Sequence, residues 1–172
     1  MMHKQDQHSG APMALEERLR ARLRLEEFYA EYVACLDEDR LEQWPDFFVE
    51  DCTYGVWPRE NWDAGLPIPL FLCVNRRQLQ DRVIAHREAN IFPVHWNRHL
   101  ISSLRIGTAA EGVLTVSANY VIVQTRQDGE SFLYQVGRCH DRIVEIDGNL
   151  GFKERKVVYD THRVRTLFVT PV

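Results

Sequence analysis

The chain has 172 residues, 45% of them apolar, and a formal net charge of −4. That length holds one domain with a proper core and is too short for two comfortable ones, and the apolar share is ordinary for a soluble globular fold. A weakly acidic balance gives no field that would gather nucleic acid, and no apolar run approaches the ~20 residues a bilayer span needs, so neither is expected as a partner.

Residues 1–14 are polar, carry Gly10 and Pro12, and lack the apolar stretch of a secretion signal. They read as a flexible N-terminal tail ahead of a single domain over 15–172. Cys35, Cys52, Cys73 and Cys139 form no CxxC pair and no disulfide framework, so free, buried thiols in a reducing cytosol are expected.

From Leu15 to Leu36 apolar positions recur at helical spacing: Leu15, Leu19 and Leu23, then Leu25, Phe28, Tyr29, Tyr32 and Leu36. Charged residues fill the other face, which predicts a long amphipathic helix. Asp39 with Glu42 reads as the cap of a second, short helix, which Pro45 should stop or kink near Trp44. Cys52–Trp57 is predicted as a strand, residues 58–67 as a loop, and Ile68–Val74 as a buried strand. Asn75 and Gln78 should open a helix over Arg76–Ala89 with the apolar stripe Leu79, Val83 and Ile84.

Beyond Pro93 the pattern alternates. Strands are expected at Asn97–Gly107, Val113–Arg126, Ser131–Ile146 and Leu150–Asp160, with a last one near Arg165–Thr170. Asp128-Gly129 and Asp147-Gly148 are hairpin turns, because glycine supplies positive φ without steric penalty. Helices first and a meander of long strands afterwards define an α+β fold. Val113–Arg126 is apolar on both faces, so one should cover the helices and the other meet a second subunit.

His95 and His99 have the spacing with which one helix face chelates a metal. Pro93 and the β-branched alternation that follows argue for a strand instead. Residues four apart on a strand lie ~13 Å from each other, too far for two nitrogens that each sit ~2.1 Å from one ion. The sequence also lacks a Rieske ligand pattern, a two-histidine-one-carboxylate set at helical spacing, a GxGxxG, a P-loop and a Gly-x-Ser-x-Gly. No catalytic, cofactor-binding or metal-binding residue is therefore assigned.

Tyr54, Trp57, His99, Tyr120, Tyr134 and His140 could line a pocket in a curved sheet and serve as acid and base, as in a self-sufficient isomerase or dehydratase. Core packing is the commoner fate of such residues. Arg76, Arg77, Arg82 and Arg87 crowd the middle helix, either as a solvated face or as a surface between subunits.

Three segments together carry a resemblance: Glu42-Gln43-Trp44-Pro45-Asp46-Phe47-Phe48-Val49-Glu50-Asp51-Cys52-Thr53-Tyr54, Asp81-Arg82-Val83-Ile84-Ala85-His86-Arg87-Glu88-Ala89, and Asn97-Arg98-His99-Leu100-Ile101-Ser102. From about residue 25 onwards the chain resembles the β (small) subunit of Rieske non-haem iron aromatic-ring-hydroxylating dioxygenases. The first segment alone is shared with the wider cone-shaped superfamily of nuclear transport factor 2 and ketosteroid isomerase.

The resemblance implies a cone-like α+β subunit with helices packed on a strongly curved mixed or antiparallel sheet. It implies a mainly structural role in a cytoplasmic α3β3 oxygenase, with self-association as a β trimer. The [2Fe-2S] Rieske cluster, the mononuclear Fe(II) and the active site would lie on the α subunit, supplied by a reductase with electrons from NADH. The substrate it implies is an aromatic acid: terephthalate first, then benzoate, anthranilate or salicylate. Arg76, Arg82, Arg87, Arg98 and His99 are the expected interface residues.

Overall fold

The computed structural model describes residues 15–89, 93–110, 112–160 and 171–172. The strand expected near Arg165–Thr170 falls outside the described residues, as does the tail over 1–14.

The first helix, α1, runs Leu15–Asp37 with Glu16 and Glu17 in its first turn, where carboxylates favour the helix dipole. Leu25, Tyr29, Tyr32 and Leu36 form its buried stripe. Leu15, Leu19 and Leu23 do not belong to that stripe and stand 74%, 53% and 63% exposed. Leu23 and Leu25 are two residues apart, about 200° around the helix, so the expected apolar face is really two faces. Asp39, with φ 58°, leaves the helix in the left-handed region.

A 3₁₀ turn, Trp44–Phe47, replaces the short helix expected after Asp39. Pro45 sits in its first turn, where no backbone N–H is needed, so proline starts this element rather than ending one. Strand β1 then runs Phe48–Pro58, longer than expected. A one-turn helix α2, Arg59–Asp63, interrupts the expected loop. Strand β2 is only Phe71–Cys73; the chain before it is held by Asn61 Nδ2 donating to the Ile68 carbonyl at 2.9 Å. Helix α3 spans Arg76–Ala89 as expected. Asn75 Oδ1 accepts from the Gln78 N–H at 2.9 Å and Gln78 Oε1 accepts from the Val74 N–H at 2.8 Å. Its buried stripe is Leu79, Val83 and His86, with Ile84 turned out.

The remaining strands are β3 (His95–Ala110), β4 (Val113–Arg126), β5 (Ser131–Ile146) and β6 (Asn149–Tyr159). At Asp147-Gly148 both turn residues have positive φ, 51° and 82°, the twist that matches flanking strands. The six strands form one mixed sheet in the order β2-β1-β6-β5-β4-β3, with β1 parallel to β6 and every other pair antiparallel. Irregularities at Ser102/Arg105, Ile122/Val123 and Arg142/Ile143 bend the long strands. Gly137 permits a close crossing, since a Cβ there would meet the Val158 carbonyl and the Tyr120 ring.

The core fills the inner face of the sheet. Tyr32, Trp44, Phe48, Tyr54 and Phe152 pack edge-on or tilted with ring centres 5.2–6.4 Å apart, the geometry aromatic quadrupoles prefer. Among the described residues no helix is long and apolar enough to cross a membrane.

Candidate interface and buried polar centre

Alternation along β5 and β6 places Cys139, Asp141 and Ile143 inward from one strand, and Arg155 and Val157 from the next. Asp141 and Arg155 are therefore cross-strand partners inside the core. Arg155 Nη1 donates to Asp141 Oδ2 at 2.7 Å, and Tyr29 Oη donates to the same oxygen at 2.5 Å. Arg155 also donates to Cys139 Sγ at 3.3 Å and to the Val172 carbonyl at 3.3 Å, and its guanidinium lies 4.5 Å from the Tyr32 ring centre. Val172 is clasped further by Tyr32 Oη, which donates to its carbonyl at 2.7 Å, and by its own N–H donating to Tyr54 Oη at 3.0 Å.

Burial governs the acid–base character of this centre. It pushes the Asp141 carboxyl up to about 6 against the pull of Arg155, and Asp141 Oδ1 has no hydrogen-bond partner. The same cause raises Tyr54 to about 12, Cys139 to about 12 and Cys52 to about 11. These hydroxyls and thiols stay protonated at neutral pH and supply neither base nor nucleophile.

The six residues expected to line a pocket are not brought together. Tyr54, His99 and Tyr120 are buried on the inner side. His140 lies on the opposite face, stacked on Trp62 at 5.1 Å, and Trp57 meets Trp62 edge-on at 6.0 Å. Tyr134 is the extra residue of the bulge between the Ile122–Gln135 and Val123–Leu133 pairs. His95 and His99 lie on one strand, as expected. His95 Nδ1 sits 2.9 Å from the Pro93 carbonyl, while His99 Nδ1 sits 2.6 Å from Asp37 Oδ1. Among the described residues no three His, Cys, Asp or Glu side chains gather as a metal site.

The five expected interface residues each engage their own chain. Arg76 donates through Nε and Nη2 to the Phe48 carbonyl. Arg82 stacks over the Phe71 ring at 3.8 Å. Arg87 forks onto Glu42 at 2.7 and 3.1 Å and onto the Asp39 carboxylate at 2.7 Å, tying α3 to the turn after α1. Arg98 reaches the Asp37 carbonyl at 3.3 Å. The His99 side chain is 2% exposed.

Exposed apolar surface lies on the outer face of the sheet. Trp96, Leu100 and Leu133 on the outer face of β3–β5 are 50%, 54% and 56% exposed. Register makes them one patch: Leu100 pairs with Val121 and that with Val136, while Val123 pairs with Leu133, and Trp96 lies beyond at Thr125. The two-sided pattern of β4 signals this face, but the flanking members are not legible, because Arg98 stands between Trp96 and Leu100 on β3 and the bulge at Tyr134 separates Leu133 from Val136 on β5. The buried Asp141–Arg155 pair was missed too. Its signal is two opposite charges at inward parity on neighbouring strands.

A SnoaL-like domain matches residues 17–156. At 43% identity the chain superposes with a TM-score of 0.82 on the crystal structure described as the beta subunit of an aromatic-ring-hydroxylating dioxygenase from Novosphingobium aromaticivorans, covering 90% of this chain and 99% of that one. It is 48% identical over 82% of its length to the anthranilate 1,2-dioxygenase small subunit of Burkholderia cepacia, covering 88% of that protein. It is 34% identical over 84% to a terephthalate 1,2-dioxygenase terminal oxygenase subunit beta 2 of Comamonas, covering 94% of that protein. The chain is thus a SnoaL-like α+β protein of the cone type. Within that class it belongs to the small (β) subunits of aromatic-ring-hydroxylating dioxygenases.

Proposed function

We propose that this chain is the mainly structural small subunit of a terminal oxygenase that hydroxylates the ring of an aromatic carboxylic acid. In this reading it assembles with a large subunit as α3β3. The large subunit carries the Rieske cluster, the iron and the substrate pocket, and a reductase feeds electrons from NADH. The observation that carries the reading is the outer apolar patch of β3–β5, which is left exposed among the described residues. Two further apolar stripes, Leu15/Leu19/Leu23 on α1 and Leu66/Ile68/Leu70/Leu72/Val74 around β2, are also exposed, more than a lone monomer ordinarily presents.

The comparisons shift the substrate expectation. Terephthalate came first from the sequence, but the anthranilate relative stands at 48% identity against 34% for the terephthalate one. Anthranilate is now the first substrate to try. The test is co-expression with the large subunit of the Burkholderia cepacia anthranilate enzyme. A hetero-oligomer on gel filtration that turns over anthranilate with reductase and NADH supports the reading, and a chain that stays apart overturns it.

A further inference from the structure

The outer face of β3–β5 has an unusual charge sorting. Its outward positions include Arg98, Arg105, Arg138 and Arg142, with His140, around the apolar centre. No Asp or Glu occupies an outward position on these strands among the described residues; Glu145 turns the other way, to Arg24. Arg138 donates to neutral Asn119 Oδ1 at 3.1 Å, and Arg98 to backbone carbonyls. On the neighbouring strand Glu154 stands across from Arg142 and pairs with Lys156 at 2.9 Å, so in a chain of net charge −4 the outward positions of β3–β5 form an arginine-rich face with an apolar middle.

That sorting decides what can cover it. Two copies meeting through this face would set two arginine-rich rims against each other, a like-charge contact that disfavours isologous pairing. A head-to-tail contact needs an acidic surface on the same chain. The acids at the end of α1 are paired within the chain: Asp37 to His99, Glu38 to Arg40, and Asp39 and Glu42 to Arg87. An apolar centre holding a tryptophan, with an arginine rim, is the composition of a heteromeric docking surface.

We infer that the outer face of β3–β5, centred on Trp96, Leu100, Val121 and Leu133 and rimmed by Arg105 and Arg138, docks an acid-rimmed apolar surface of the oxygenase large subunit, not a second copy of this chain. The inference rests on the assembly proposed above and names its contact.

The experiment compares the full chain with Leu100→Asp, Arg138→Glu and Arg138→Lys for binding to the purified large subunit of the Burkholderia cepacia anthranilate enzyme. Mass by ultracentrifugation of each chain alone is read alongside. Leu100 and Arg138 are exposed, so circular dichroism and melting should match the parent. Leu100→Asp and Arg138→Glu should each weaken large-subunit binding by about tenfold or more, with Arg138→Lys retaining most of it and self-association unchanged. Parent-like binding by folded Leu100→Asp and Arg138→Glu overturns the inference, as does a loss confined to self-association, which would assign the face to another copy. If the parent chain itself fails to bind, the assembly reading falls instead.

Discussion

Arg155 carries a full charge where solvent has no access, and its chief compensation is one carboxylate oxygen that it shares with Tyr29. Removing one member strands the other's charge in the core, which costs far more than the pair contributes. Arg155→Met should lower the unfolding free energy by about 3–5 kcal/mol. Joining it to Asp141→Leu should recover much of that loss, and urea melts of the two variants and the parent decide it. The centre also sets a pH dependence. Burial raises Asp141 to about 6 in the fold, above the ordinary carboxylate range, so the native state binds its proton more readily than the unfolded chain. The resulting stability is fully present below the unfolded value and is lost as pH rises through about 6. Relative to Asp141→Asn, which does not titrate, the parent should gain about 1 kcal/mol between about pH 8 and about pH 5. A constant difference across that range would show the carboxyl to be fully ionised throughout.

The elements are tied by side chains that reach between them, and Arg87 is the clearest. Its planar fork meets Glu42 and Asp39 at once, while its own side chain is 33% exposed and theirs are about twice that. Solvent screening keeps such a network modest, so Arg87→Ala should cost about 1 kcal/mol, and less at high salt. Arg87→Lys should not restore it, because an ammonium lacks the fork; amide exchange of residues 39–47 reads the loosening directly. The same arginine shows where sequence reasoning reached its limit. Periodicity finds α3, β4 and β5 with their observed ends, since each repeats its pattern over many residues with a turn or cap at the border. It cannot say whether an arginine on α3 faces a partner or the α1 turn, because Asp39 and Glu42 are brought there by the path of the whole chain. His99 is alike: its strand and its distance from His95 are legible, but the carboxylate that absorbs its ring belongs to Asp37, 62 positions away. Trp44–Phe47 failed for a local reason, because proline in a first turn and proline ending a helix look the same at one position.

At the scale of the molecule, the inner face of the sheet is closed by aromatic packing and a paired charge, and among the described residues the outer face is left open over β3–β5. The division suits the structural role proposed above: a rigid base with an adhesive side. It also places one reporter where assembly should be visible. Trp44 and Trp57 are buried and Trp62 is stacked on His140, whereas Trp96 is half exposed in the outer patch. Binding of the large subunit through this face should remove water from Trp96, shift chain-derived tryptophan emission to the blue and protect it from iodide. Labelling this chain alone with 5-fluorotryptophan separates its signal from the partner's. Trp96→Phe keeps the apolar area nearly whole, so it should still assemble while losing the resonance that moves. If the Trp96 resonance is unmoved in a fully formed complex, the large subunit sits on another face, and the α1 and β2 stripes are the surfaces to test next.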